Sequence, residues 1–178
     1  NVPFIDADNI ARHLTAQGSP VLDLIEAAFG DEVRLPDGGL NRAWLRQRIF
    51  SDAESRKKLE AILHPLILDE MRHQLQVLRD VPYVLLVIPL LLETQMYRAL
   101  VDRVLVVDCA EDQQRMRVSE RDGLTTSAVN DILAAQMSRA TRLALADDVL
   151  ANTGDRPELH DKIQALHHTY LALSAKTL

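Results

Sequence analysis

The 178-residue chain has one cysteine, little excess of either charge sign, few aromatics and no long apolar run, and most of these scarcities exclude something. A lone Cys109 closes no internal disulfide and builds no structural zinc site. With no basic stretch leading into an apolar one, a reducing, cytoplasmic setting is the expectation. The most apolar segment, Val81 to Leu92, falls short of the roughly 20 residues that a membrane span needs, so no membrane partner is expected. A net charge of −6 opposes nonspecific binding to nucleic acid, so a phosphate-bearing ligand would have to meet locally clustered arginines. The six histidines show no H-E-x-x-H or other ligand spacing, and no protein-bound transition metal is indicated. There is no internal repeat and no low-complexity linker. The length suits one folding unit, 1–178.

What is present alternates between short apolar runs and helical periodicity. "VPFID" is expected as a buried strand that passes directly into a helix closed by Gly18 as a left-handed cap. Ser19 and Pro20 are suited to open "VLDLIEAAF", which Gly30 ends. "VRLPDGGL" carries turn chemistry, and Asn41 can cap "RAWLRQRIF". Ser51 and Glu54 have the spacing of a capping box for "DAESRKKLEAIL", after which Pro65 is expected to begin a further helix. "YVLLVIPLLLE" and "RVLVVD" are apolar without alternation, as strands covered on both faces are. Thr125 caps a helix that follows the arginine-rich "EDQQRMRVSERDG". "DDVLAN" makes a last strand, and Leu159, Ile163, Leu166, Tyr170 and Leu173 mark one face of a closing helix from about Pro157. Trp44, Leu45 and Phe50 read as helix packing rather than a stacking platform.

Strands separated by helices imply an α/β fold, a three-layer parallel sheet with helices on both faces. Ligands of such sheets bind beyond the carboxyl ends of the strands. Asp6, Asp8, Glu93, Asp108 and the segment Asn152 to Gly154 all fall at strand ends, and are expected to share one crevice. Aspartates at i and i+2 off a strand tip offer a proton acceptor and a second carboxylate, although one of them must also cap the following helix. Arg117 and Arg121 are four apart, Arg139 and Arg142 three apart. Each pair suits phosphate oxygens, or forms a solvated face paired with Glu111, Asp112, Glu120 and Asp122. His64, beside Pro65, either contacts a ligand or bonds a neighbouring backbone group.

The ordered series "IDAD", "DGGLNRAWLRQRIFSD", "LHPLI", "YVLLVIPLLLE", "RVLVVD", "AAQMSRATRLALADDVLANTG" and "LHHTYLAL" resembles the dephospho-CoA kinase family over nearly the whole chain. The resemblance implies a P-loop kinase-like fold with a helical region for dephospho-CoA, about 36–80, and an arginine-bearing lid, about 111–142. It implies transfer of the ATP γ-phosphoryl group to the ribose 3′-hydroxyl of dephospho-CoA with Mg²⁺, in a monomer or small homo-oligomer. By resemblance Asp8 is the base, while Arg117, Arg121, Arg139, Arg142, Asn152 and Gly154 attend ATP. Asp6, Arg12, His64 and Glu93 match positions around the acceptor. A nucleoside monophosphate kinase-like enzyme and a noncatalytic remnant that binds dephospho-CoA are the alternatives.

One departure is large. No G-x-x-x-x-G-K-[ST] stretch is present, the loop whose backbone N–H groups wrap phosphates. In the family that strand, loop and helix come immediately before "IDAD", so the expectation is a trimmed chain rather than a natural remnant.

Overall fold

The computed structural model describes residues 2–176. The chain divides into two compact units, Asn1–Pro89 and Leu90–Leu178. The seam cuts the apolar run "YVLLVIPLLLE" at Pro89.

The first unit runs β1 (Phe4–Asp6), α1 (Ala7–Leu14), α2 (Val21–Phe29), α3 (Arg42–Ser51), α4 (Ala53–Val77) and β2 (Leu85–Val87). The strands pair in parallel, Phe4 opposite Leu85 and Asp6 opposite Val87. Helices α2, α3 and α4 enclose a core of Val21, Leu22, Ile25, Val33 and Leu45, with Trp44, Leu59 and Leu63 packed against it. Burial of these aliphatic side chains supplies most of the unit's stability, each worth about 1.5–3 kcal/mol when fully withdrawn from water. Phe50 stands outside this packing, 74% exposed. The turn at "VRLPDGGL" forms as expected: Leu35 N–H donates to the Gly39 carbonyl at 2.8 Å, and Gly38 takes a φ of +82° that favours glycine.

Three helix boundaries differ from expectation. α1 ends at Leu14 with Thr15 as its cap, short of Gly18. Asp52, not Ser51, caps α4: its carboxylate accepts the N–H groups of Glu54 and Ser55, and the Ser55 hydroxyl donates to the same group at 2.5 Å. Ser51 instead ends α3, its hydroxyl donating back to the Gln47 carbonyl. Aspartate is as good a cap as serine and stands one residue closer to the helix. Nor does Pro65 start a helix. It lies inside α4, where the tertiary packing of a 25-residue helix outweighs the one ladder hydrogen bond that proline forfeits.

The second unit runs β3 (Leu105–Asp108), α5 (Glu111–Asp122), α6 (Thr126–Ala134), α7 (Arg139–Leu145), β4 (Asp148–Ala151) and α8 (Arg156–Ser174). β3 and β4 pair in parallel, Leu105 opposite Asp148 through Asp108 opposite Ala151. Asp148 accepts three hydrogen bonds: Arg103 donates to both of its oxygens at 3.0 and 3.1 Å, and the Tyr170 hydroxyl of α8 donates at 3.0 Å. Gly123, at φ +65°, ends α5 in the left-handed conformation of a C-terminal cap. Thr125 caps α6 as expected.

The parallel α/β character is as anticipated, and the described strands form two separate pairs. Leu85 is 38%, Val87 45% and Val107 58% exposed.

Candidate functional site

In the first unit the chemistry gathers where β1 turns into α1. Asp6 takes the capping role that the sequence left open between two acids. Its backbone is extended (φ −113°, ψ 116°), and its Oδ1 accepts the N–H of Asp8 at 2.8 Å and of Asn9 at 3.1 Å. This fixes the first helical turn and leaves Asp8 as a first-turn carboxylate, exposed and without a side-chain partner among the described residues. Arg12, one turn further along the same helix face, is likewise exposed and without a partner among the described residues. Beside them a cleft of about 570 Å³ is lined by Phe4, Asp6, Asn9, His13, Glu70 and Gln74. His64 is half-buried within α4, immediately before Pro65, and belongs to this unit.

In the second unit the arginines separate into distinct situations. Arg121 pairs with its neighbour Asp122 at 2.8 and 2.7 Å, and such an exposed pair contributes little to stability. Arg117 reaches the backbone carbonyl of Asn152 at 3.4 Å, so α5 meets the end of β4 where Asn152 and Gly154 lie. Arg142 donates to the carbonyl of Met137 at 2.6 Å. Arg139 forms a two-pronged bond with Asp108, Nε to Oδ1 at 2.7 Å and Nη2 to Oδ2 at 2.6 Å. Asp108 is buried, and the fork from Arg139 holds its carboxyl below the usual carboxylate range; the same contact raises the Arg139 guanidinium. Glu93 accepts the N–H of Met137 at 3.0 Å. Glu93, Arg139 and Arg142 are therefore brought together on the junction between α6 and α7.

The part played by Asp108 was not foreseen beyond its place at a strand end. Sequence offers its residue type and position, but the arginine that it meets lies 31 residues on and is chosen by the fold.

Among the described residues no group of three or more histidines, cysteines, aspartates or glutamates could cage a metal ion. A Mg²⁺ ion delivered on nucleotide phosphates needs only one or two protein carboxylates, and that is the manner of binding these residues fit. Asp8, exposed and without a side-chain partner among the described residues, is a carboxylate of the first unit that could meet such an ion.

Comparison of the fold first defines the class. A Thermus thermophilus protein of known crystal structure is similar with a TM-score of 0.78 and 28% identity, covering 95% of this chain and 85% of that one. The dephospho-CoA kinase from Campylobacter jejuni superimposes with a TM-score of 0.68 at 23% identity, over 100% of this chain and 88% of that one, which bears on fold alone. This chain shares the α/β fold of both, with parallel strands between helices. The family profile described as dephospho-CoA kinase matches residues 1–158. The dephospho-CoA kinase of Thiobacillus denitrificans is 52% identical over 99% of this chain and 87% of its own length, and that of Nitrosospira multiformis 46% identical over 96% and 84%. The chain belongs to the dephospho-CoA kinase family.

Proposed function

We propose that this protein transfers the γ-phosphoryl group of ATP to the ribose 3′-hydroxyl of dephospho-CoA, completing coenzyme A. Family membership supports the reaction. The observation that carries the assignment of roles is the state of Asp8: an exposed carboxylate at the carboxyl end of a parallel strand, held in place by the Asp6 cap and bound to nothing else among the described residues.

Phosphoryl transfer is largely a matter of placing the hydroxyl in line with the γ-phosphoryl and stabilising charge on its oxygens. Asp8 accepts the hydroxyl proton, and Arg12 lies one helical turn away to meet the acceptor. The helical stretch 36–80, which contains His64, forms the acceptor-binding part. The segment 111–142 is the lid, with Arg117, Arg121 and Arg139 facing the nucleotide phosphates and Arg142 bracing the segment. Closure over ATP excludes water, which otherwise competes as acceptor. Asn152 and Gly154 lie beside the nucleotide base. Mg²⁺, when bound with ATP, neutralises charge on the β- and γ-oxygens. The setting is cytoplasmic, and the protein acts as a monomer or small homo-oligomer; among the described residues no helix is long and apolar enough to cross a membrane.

The test is Asp8→Asn in the full-length protein. Turnover is expected to fall by roughly 10²–10⁴-fold, the usual contribution of a positioned base, while ATP affinity stays within about twofold. Equal turnover in variant and parent would remove Asp8 from this role.

A further inference from the structure

The segment "QMSRATR" is held from two sides by carboxylates that follow different strands. Asp108, the last residue of β3, grips Arg139 through Nε and Nη2. Glu93 lies in the turn after the first apolar run, where the Leu90 carbonyl accepts the N–H groups of Glu93 at 3.1 Å and Thr94 at 3.0 Å. From there its Oε1 accepts the N–H of Met137. Leu90 has a φ of +57°, a left-handed conformation that leucine adopts only when its surroundings enforce it. Arg142 closes the arrangement by donating to the Met137 carbonyl, and the Ser138 hydroxyl caps α7 by accepting the Thr141 N–H. Both polar groups of the Met137 backbone are thus satisfied by side chains from elsewhere.

These contacts settle which donors of Arg139 remain. A guanidinium has five N–H groups in a rigid fork, and the grip of Asp108 uses the Nε and one Nη2 hydrogen. The Nη1 group has no partner among the described residues, and the Arg139 side chain is 40% exposed while Asp108 is 9% exposed. A buried carboxylate that holds one edge of a guanidinium fixes the plane of the other edge.

We propose that Asp108 and Glu93 are positioning residues: together they fix the junction between α6 and α7 so that Arg139 offers its Nη1 edge to the phosphates of the nucleotide. The proposal rests on the kinase reading for its ligand, but the clasp itself does not depend on it. Under it Glu93 acts as an uncharged acceptor would, through Met137, and not by its charge on the acceptor substrate.

The experiment uses the full-length protein. Amide exchange at Met137, followed by mass spectrometry, is expected to accelerate by about tenfold or more in Glu93→Ala and to stay near the parent rate in Glu93→Gln, which keeps an Oε1 acceptor. KM for ATP is expected to rise by about tenfold in Asp108→Asn and Glu93→Ala and little in Glu93→Gln, with KM for dephospho-CoA unchanged in all three. Arg139→Lys should raise KM for ATP similarly, and Asp108→Asn should add little on that background. Loss of activity in Glu93→Gln equal to that in Glu93→Ala, or additive effects of Asp108→Asn and Arg139→Lys, would overturn the proposal. If Arg139→Lys leaves ATP kinetics untouched while Met137 exchange responds as described, the phosphate role of Arg139 fails and the clasp stands as structure alone, which also overturns the positioning role.

Discussion

The Asp6 carboxylate accepts the backbone N–H of Asp8 at 2.8 Å, so one acid holds the other in place. This division of labour predicts different responses to two substitutions. Asp6→Asn keeps the Oδ1 acceptor and should leave both stability and turnover close to the parent, whereas Asp6→Ala should cost about 1 kcal/mol in denaturant unfolding and lower turnover by displacing Asp8. An Asp6→Asn enzyme as impaired as Asp6→Ala would show that Asp6 acts on substrate by its charge.

Asp148 makes the stability of the second unit sensitive to acid. Its carboxyl is held below the usual range, first by the hydrogen bonds from Arg103 and further by that from Tyr170, against the opposing effect of burial. A carboxylate depressed on folding stabilises the protein above its unfolded pKa of about 3.9, and that contribution disappears as pH falls through the lower folded value. Unfolding free energy measured between pH 5 and pH 2 should therefore drop less steeply in Asp148→Asn than in the parent. Tyr170→Phe, which removes one donor, should cost about 1 kcal/mol at neutral pH.

At the start of α4 the structure assigns the cap to Asp52 and gives Ser51 to the preceding helix. Asp52→Ala should destabilise by about 1 kcal/mol, while Ser51→Ala should lie within about 0.5 kcal/mol of the parent in thermal unfolding. The reverse order would restore Ser51 as the cap. Acid should also weaken this cap, because the hydrogen bonds from Ser55 and Glu54 hold the Asp52 carboxyl below its ordinary value.

Within the first unit, Ile25 is fully buried in the core of α2, α3 and α4, and Phe50 is 74% exposed at the end of α3. Ile25→Ala should cost about 2–5 kcal/mol, more than most surface changes combined, and Phe50→Ala within about 0.5 kcal/mol. Urea midpoints at constant slope would separate the two. A large loss at Phe50 would place it against a neighbour.

Strand and helix identity were legible because they rest on local signals: the apolar runs at β1 to β4, the left-handed glycines Gly30 and Gly38, and the caps at Asn41 and Thr125. The position of Asp8 was legible for the same reason, since a strand tip and a helix start are adjacent in sequence. What failed depended on competition or on distance. Two adjacent residues, Ser51 and Asp52, could both cap, and only the direction in which the Ser51 hydroxyl turns decides between them. Pro65 breaks an isolated helix, yet α4 is long enough and packed enough to run through it. The hold of Asp108 on one edge of Arg139 was not legible, because nothing local points to a partner so far back in the chain.

The pairing of Phe4 with Leu85 has a kinetic corollary. β1 is made first, yet its hydrogen-bonding neighbour arrives only after α1, α2, α3 and α4 have been traversed, so closing that ladder means closing a loop as long as the unit itself. The local contacts between α3 and α4 can form early, while the strand that leads into Asp8 must wait for β2. Asp8 is then among the last parts of its unit to be locked in place.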